Sequence, residues 1–322
     1  MSEYDSPWKE GISVYFREFL QFFYPWIEED IEWERGFEFL DTELQQIKRE
    51  TETGRRDADR LVKVWRPSGE EQWVLIHVEI QSQSQSEFSE RMYIYHSRIF
   101  DRYRRSVVSL GILGDEQKNW KPSRYERELW RCRAVLEFPV VKLLDYSMEE
   151  LSKSRSPMAP IVQAHRTAQI AGKDVRVGYE KKLSLIKSLY ERGYGREDIV
   201  QLFRLIDWFI GLPSQEEEQL WQEIQTLEEE QNMPYITSVE RIGMRKGLEQ
   251  GQITKGQEYI IRILEVRFEE ISPKLREIIN QIKDQDVLAN LLVQAVTIQA
   301  LEAFQSVVSQ YITELENSDT SS

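Results

Sequence analysis

Residues 72–81, QWVLIHVEIQ, decide the fold of this chain. The run is rich in β-branched residues, and its hydrophobic residues recur at every second position, which is the period of a strand. One face of such a strand is wholly apolar and carries Val74, Ile76, Val78 and Ile80. The other face carries Trp73, Leu75, His77, Glu79 and Gln81. We therefore predict a largely buried strand that presents polar groups at its C-terminal end.

A second β-rich run precedes this strand. Residues 59–66, DRLVKVWR, end in the turn PSGEE, so the two runs together predict a β-hairpin. Further upstream, residues 11–24 place hydrophobic side chains near helical spacing before Pro25, which predicts an opening amphipathic helix. Residues 37–47 are ambiguous between strand and helix, and we favour a strand because a turn-like ETGRRD follows.

The segments that follow the hairpin complete an α/β pattern. We predict a helix over about 88–105 with a basic C-terminal end, a buried strand over 107–113 and a further strand over 132–146, interrupted at Pro139. The order is helix, three strands, helix and two strands. It indicates an α/β or α+β domain with a mixed central sheet flanked by helices.

Strand signals vanish after about residue 150. Amphipathic helices follow, one stopped at Gly193 and the next before Pro213, and then an acidic helix. Four glycines recur at a spacing of four or five over 243–256, which is typical of a marginal linker helix. We divide the chain into an α/β domain at 1–150, a helical extension at 151–240, a Gly-dotted linker helix at 241–256, a small helical domain at 257–315 and a disordered tail at 316–322.

Charge is distributed unevenly along the chain. The net charge of −14 argues against wholesale coating of nucleic acid, because phosphate binding depends on Lys and Arg. Residues 91–133, however, carry eleven Lys and Arg against five Asp and Glu, a local +6, and local charge is what a DNA phosphate meets. Within this region Arg98, Arg102, Arg104 and Arg105 are candidates for DNA backbone contact or for a solvated helix end.

Composition narrows the chemistry and the compartment. No stretch approaches about 18 uninterrupted apolar residues and the polar start does not resemble a secretory leader, so we expect no membrane partner and a cytoplasmic, bacterial-type location. The single Cys132 cannot form an internal disulfide, and the three histidines are too widely spaced for a local zinc cluster. A metal would therefore be held mainly by oxygen.

The candidate site is formed by Asp59, Glu79 and Gln81. Positions i and i+2 of a strand share a face, so Glu79 and Gln81 point the same way, and the paired strand can bring Asp59 beside them. Two carboxylates suit Mg²⁺, and the backbone carbonyl of Ile80 is a further candidate ligand. The alternative is that both acids are ordinary polar groups at strand ends.

At this point the chain resembles a known family. The run ADRLVKV…WVLIHVEIQSQ, followed by FSERMYIYHSRIFDRY and VVSLGIL, is similar to the recombination-promoting nuclease and transposase-like group of the PD-(D/E)XK nuclease superfamily. The resemblance to the nuclease core covers about residues 10–150. Residues 255–305 resemble a small C-terminal domain of unknown function that cyanobacterial members carry. The resemblance implies a restriction-endonuclease-like fold, a mixed four-stranded sheet flanked by helices.

The resemblance also implies roles for individual residues. Asp59 matches the motif aspartate, with Asp57 as a rival, and Glu79 matches the motif glutamate. Gln81 stands where the superfamily usually has lysine, and it can position a water without supplying positive charge. Lys63, at i+4 from Asp59, could replace that lysine from the neighbouring strand, or it is an ordinary solvated lysine.

Four further residues have two interpretations each. Arg91 could bind a phosphate oxygen or form a structural salt bridge with a site carboxylate. Tyr95, one turn later, could line the site or pack in the core. Glu18 could be an accessory acid or belong to an exposed helix face, and we interpret His77 as a sheet histidine rather than a base.

The expected function is Mg²⁺-dependent hydrolysis of DNA phosphodiesters by an endonuclease, with Mn²⁺ as a substitute metal. The family resemblance suggests DNA recombination or a transposase-like, mobile-element role, and symmetric double-strand cutting would favour a homodimer. The alternative is a catalytically degenerate DNA-binding or protein-interaction module, which Gln81 and the net negative charge favour.

Overall fold

A mixed five-stranded sheet organises the first half of the chain, in the order β1-β2-β3-β4-β7. Its strands are β1 (Phe37–Phe39), β2 (Arg60–Trp65), β3 (Trp73–Gln81), β4 (Val107–Leu113) and β7 (Val140–Lys142). The first three strands pair antiparallel, whereas β3 pairs parallel with β4 and β4 pairs parallel with β7. The computed structural model describes residues 5–41, 44, 60–67, 73–231, 238–268, 271–298 and 300–308.

Helices flank this sheet and make up most of the second half. Before and within the sheet lie α1 (Asp5–Val14), α2 (Phe16–Phe23), α3 (Pro25–Glu28) and α4 (Phe88–Tyr103). After it come α5 (Met148–Lys153), α6 (Met158–Ala171), α7 (Val175–Glu191), α8 (Arg196–Phe209), α9 (Ser214–Gln231), α10 (Ser238–Phe268), α11 (Pro273–Gln281) and α12 (Gln285–Thr297). The chain is therefore α/β with a mixed sheet and a helical C-terminal half, as predicted.

The predicted hairpin of β2 and β3 is confirmed. Arg60 lies opposite Val78 and Lys63 opposite Leu75, so the two strands pair antiparallel along their described length. The prediction of a single opening helix is wrong in one respect, because two helices, α1 and α2, meet at Tyr15.

The strand predicted over 37–47 is also wrong in its extent. It ends at Phe39, and Asp41 and Leu44 are helical. Leu40 and Leu44 are both buried in a cluster that includes Tyr95. Because these leucines are four residues apart, a helical turn buries both on one side, and that burial outweighs the local strand pattern.

The two faces of the sheet are covered by different helices. On one side the Arg60 guanidinium, which shares a face with Val78, donates to the Lys9 carbonyl of α1, and the Tyr24 hydroxyl donates to the Gly111 carbonyl at 2.8 Å. On the other side α4 connects β3 to β4 and packs Met92 against Leu113. Glu79 and Gln81 therefore lie beneath α4.

The segment predicted over 132–146 divides at Pro139, as expected. Its second part is β7, whereas its first part, β6 (Cys132–Glu137), pairs with β5 (Arg124–Leu129) in a separate two-stranded sheet. The sequence pattern missed β5, because RYEREL is dominated by charged residues and lacks the apolar alternation of a strand.

The helical extension packs directly on the α/β part. Trp8 Nε1 of α1 donates to His165 Nδ1 of α6 at 3.1 Å, and His165 Nε2 lies 2.9 Å from the Gly114 carbonyl after β4. Met1–Tyr235 consequently form one compact unit, and Ile236–Ser322 form a second. The division expected at residue 150 does not coincide with a break between compact units.

The second unit is helical. Its core joins residues of α10, α11 and α12 with those of the following helical stretch 301–308, including Leu264, Ile279, Leu291 and Phe304. The linker helix expected at 241–256 is not a separate element, because the 31-residue α10 continues through it into the core of this unit. Among the described residues, no helix has the length and apolar character needed to cross a membrane.

We expect Gly114→Ala to destabilise the first unit. A Cβ at Gly114 would lie 2.8 Å from His165 Nε2 and 2.9 Å from its Cε1, and this buried ring is held by hydrogen bonds on both nitrogens. Overpacking of this kind lowers the free energy of unfolding by about 1–3 kcal/mol. Denaturant unfolding followed by tryptophan fluorescence measures this unit alone, because all nine tryptophans lie between residues 8 and 221.

Gly211→Ala is the matched control, because a Cβ there meets no atom within 4 Å. Equal unfolding curves for the two alanine variants would contradict the proposed clash.

Candidate active site

Glu79 and Gln81 lie on the same face at the C-terminal end of the central strand β3. In the neighbouring parallel strand β4, Gly111 lies opposite Glu79 and Leu113 opposite Gln81. The i, i+2 arrangement predicted from the sequence is therefore present. The C-terminal ends of parallel strands are where ligand sites of α/β sheets commonly form.

Arg91 of α4 bridges the two polar residues. Its Nε donates to Glu79 Oε1 at 2.7 Å, and its Nη2 donates to Gln81 Oε1 at 2.6 Å. All three side chains are buried, with 0% exposure for Glu79 and 7% for Arg91. Of the two interpretations of Arg91, the structure shows the salt bridge with a site carboxylate.

A row of polar residues continues from Glu79 beneath α4. His77 Nε2 lies 3.5 Å from Glu79 Oε2, and the buried His77 ring meets the Tyr95 ring in a T-shaped arrangement with centroids 5.7 Å apart. Ser109 lies opposite His77 on β4, and its Oγ is 3.1 Å from His96 Nδ1. Burial, and next the nearby His77, lower the pKa of His96 below its ordinary value. This lowering favours the neutral form of the His96 imidazole.

Tyr95 packs in the core. Its side chain is 1% exposed and clusters with Leu61 and Leu75 of the hairpin and with Ile99 of α4. Since its ring also meets His77, it supports the polar row from the apolar side. Core packing is thus what the structure shows for this residue.

Lys63 and Glu18 lie away from Glu79. Lys63 is opposite Leu75, four strand positions from Glu79 or about 13 Å along the strand, and it pairs with Glu38 at 3.7 Å. Glu18 of α2 belongs to the surroundings of Tyr15, whose pKa is raised by burial, by Asp198 and, less strongly, by Glu18. The structure brings neither residue to the candidate site.

The arginine cluster lies at the other end of α4. Arg102 is eleven residues from Arg91, about 16 Å along the helix axis, and Arg98 is about 10 Å away. Arg104 ends the helix with a φ of 48° and pairs with Asp101 at 2.7 Å, an exposed pair. Any phosphate that Arg102 or Arg104 contacts is therefore a different one from a phosphate at Glu79.

A buried ion pair at the same sheet edge was missed by the sequence reasoning. Lys142 of β7 donates to Asp115, which follows β4, and both side chains are almost fully buried. Lys142 lies opposite Leu113, which lies opposite Gln81, so Lys142 and Gln81 are two strands apart, about 10 Å, on one face. The available signal was positional, because Asp115 comes just after a predicted buried strand.

The oxygen donors here are of the type that Mg²⁺ prefers. Among the residues that the structure describes, no group of three Asp, Glu, His or Cys side chains is arranged to hold a metal. Glu79 supplies one carboxylate, with the Gln81 amide oxygen and the Ile80 carbonyl as neutral donors. The two side-chain oxygens that Arg91 contacts would be available to an ion only after the guanidinium moves.

Asp59 and Asp57 lie outside the described residues. Asp59 directly precedes Arg60, and Arg60 lies opposite Val78, the residue before Glu79. The donor types therefore fit a hard cation, with Asp59 as the expected second carboxylate.

Comparisons of this chain with protein-family models, with curated proteins and with solved structures gave no match. The candidate site is accordingly defined by its geometry. That geometry consists of Glu79 and Gln81 at the end of β3, Arg91 bridging them, and His77 beside Glu79.

Proposed function

We propose that this chain is a Mg²⁺-dependent DNA endonuclease with a restriction-endonuclease-like core. One observation carries the proposal: Glu79 and Gln81 share a face at the end of the central strand, next to an arginine of the covering helix. The resemblance to the PD-(D/E)XK superfamily implies a mixed four-stranded sheet flanked by helices, and the sheet of this chain is mixed and flanked by helices but has five strands. DNA is the proposed substrate, and recombination or mobile-element processes are the proposed setting.

Each residue of the candidate site would have a distinct role. Asp59 and Glu79 would hold the ion, with the Ile80 carbonyl as a further donor, and the Gln81 amide would orient the attacking water. A bound Mg²⁺ supplies polarisation of the phosphate and a lower pKa of that water. Arg91 is the nearest described cation to Glu79, so its guanidinium would contact a phosphate oxygen once it leaves the carboxylate.

The position of Arg91 also favours a second candidate. Its guanidinium already neutralises the buried Glu79 carboxylate, and Gln81 brings no positive charge of its own. If the ion pair between Arg91 and Glu79 never opens, the domain would be a non-catalytic DNA-binding or protein-interaction module. The two candidates differ in whether Glu79 binds metal.

We expect Glu79→Gln to lower cleavage of plasmid and linear DNA by at least about 10²-fold in Mg²⁺ or Mn²⁺, because it removes an ionised group from the reacting centre. Glutamine keeps the size of the side chain and an oxygen that Arg91 can donate to, so the fold should persist. Asp59→Asn should have the same effect, and EDTA should abolish cutting by the unmodified protein.

Glu38→Gln is the control, because Glu38 also lies in the sheet but pairs with Lys63. Mn²⁺ titration of the unmodified protein and of both site variants separates the two candidates. Metal affinity that is lost in Glu79→Gln supports the nuclease. Absence of both metal binding and cutting in the folded protein would favour the non-catalytic module.

A further inference from the structure

The β5–β6 hairpin ends in an unusual two-residue turn. Leu129 lies opposite Cys132, and the turn between them consists of Trp130 and Arg131, with φ angles of 50° and 67°. Two-residue hairpin turns with positive φ at both positions normally contain Asn and Gly, which tolerate that conformation. A tryptophan followed by an arginine is a costly choice, since left-handed backbone disfavours residues with a Cβ. Strained positions of this kind concentrate at functional sites.

The tip is exposed. Trp130 is 93% exposed and the adjacent Leu129 is 59% exposed, so the hairpin presents a flat aromatic ring to its surroundings. Burial therefore does not account for the indole. Trp130 and Leu129 together form a small contiguous apolar patch at the tip of the hairpin.

The hairpin carries four arginines and three glutamates, a net charge of +1. Arg124 pairs with Glu126 and Glu137, and Arg133 pairs with Glu126. Arg127, Glu128 and Arg131, all exposed, have no ion pair with any residue that the structure describes, so two of these three charges are positive. Arg131 lies beside Trp130 in the turn, which places positive charge next to the aromatic ring.

The base of the hairpin is anchored on the basic side of the α/β part. Tyr125 of β5 stacks on Tyr93 of α4 with ring centroids 4.7 Å apart, and Leu136 of β6 packs near Phe88. Residues 88–137, which include both α4 and the hairpin, carry eleven Lys and Arg against seven Asp and Glu, a local charge of +4. An anchored ribbon with a cationic, aromatic tip is suited to a polyanion that also offers flat apolar faces.

We propose that the β5–β6 tip is a nucleic-acid contact. Trp130 stacks on a base, and Arg127 and Arg131 bind the neighbouring phosphates. This inference rests on the proposed function for the choice of DNA as partner, but binding at the tip requires neither metal nor cleavage.

The test is fluorescence anisotropy with fluorescein-labelled single- and double-stranded DNA in EDTA, where cutting does not interfere. We expect Trp130→Ala to weaken binding about tenfold, the effect of losing one stacked base. Trp26→Ala is the matched control, because Trp26 is another exposed tryptophan, at 58%, on α3. Its affinity for DNA should equal that of the unmodified protein.

A second variant separates binding from folding. Trp130→Asn combined with Arg131→Gly supplies the residues that the turn prefers, so the Tm should rise by about 2–4 °C while DNA affinity falls. The only cysteine, the exposed Cys132, lies next to the turn and serves as a probe. DNA should slow its alkylation by a maleimide in the unmodified protein and not in the double variant.

Equal DNA affinity of the Trp130 variants and the Trp26 control would overturn the inference, as would binding of anionic phospholipid vesicles, but not DNA, at the tip. The proposed nuclease activity is tested separately from the tip contact. Metal-dependent cutting with unchanged binding by the Trp130 variants would refute only the tip contact, whereas tip-dependent binding without cutting would refute only catalysis.

Discussion

Arg91→Met should lower the free energy of unfolding of the first unit by about 3–5 kcal/mol, the cost of removing one partner from a buried ion pair. Arg91 donates to both Glu79 and Gln81, and its loss leaves the fully buried Glu79 carboxylate without that guanidinium. Methionine retains an apolar stem of similar length, so the change is mainly electrostatic. Denaturant unfolding followed by tryptophan fluorescence gives the measurement.

Arg104→Met, at the C-cap of the same helix, is the control. The pair of Arg104 with Asp101 is exposed on both sides, at 72% and 74%, and exposed pairs contribute little. Adding Glu79→Met to Arg91→Met should recover much of the lost stability, because the buried charge is then gone as well. An Arg91 variant as stable as the Arg104 variant would show that the bridge is dispensable, and this would favour an Arg91 that readily leaves Glu79.

The second large effect should be a loss of folding stability on acidification. Burial, and more weakly Arg166, lower the pKa of His165 to about 4, against the opposing effect of its bond to the Gly114 carbonyl. Trp8 donates to Nδ1, so the neutral ring carries its proton on Nε2 and donates it to Gly114. A second proton on Nδ1 would face the indole N–H.

The direction of this change in stability with pH follows from proton uptake. In the unfolded chain His165 titrates near its ordinary pKa of about 6.5, so between pH 6.5 and 4 the unfolded state binds more protons than the folded state. The contribution to stability is complete above pH 6.5, is lost as the pH falls to about 4, and changes little below that. For a difference of this size the loss is about 3 kcal/mol.

His165→Gln isolates this contribution, since glutamine offers one acceptor to Trp8 and one donor to Gly114 and does not titrate. The difference in unfolding free energy between the two proteins should change steeply from pH 6.5 to 4. Parallel pH profiles would contradict the buried neutral imidazole. The other two histidines are common to both proteins, so their titration cancels.

The core of the fold could be predicted because its signals are local. Alternation over 72–81, the run after Asp59 and the apolar run 107–113 are each properties of a few consecutive residues, and each became a strand of the central sheet. The i, i+2 spacing alone placed Glu79 and Gln81 on one face. Local pattern failed at Leu40 and Leu44, where burial against Tyr95 favours helix over strand.

The hydrogen bonds within the candidate site depend on the tertiary structure. Nothing in the strand pattern indicates that Arg91, twelve residues from Glu79, would donate one hydrogen bond to Glu79 and one to Gln81. Packing of α4 over β3 and β4 brings these groups together, and removal of water beneath the helix makes pairing more favourable than solvation. The register of the β2–β3 hairpin places Lys63 about 13 Å along the strand from Glu79.

The sequence by itself therefore determined the α/β class, the hairpin and the shared face of Glu79 and Gln81, because periodicity is encoded residue by residue. The tertiary structure alone decided the Arg91 bridge, the buried Asp115–Lys142 pair, the union of the helical extension with the sheet through Trp8 and His165, and the exposed Trp130 tip. These features depend on which distant side chains exclude water from one another, and that is fixed only when the elements pack.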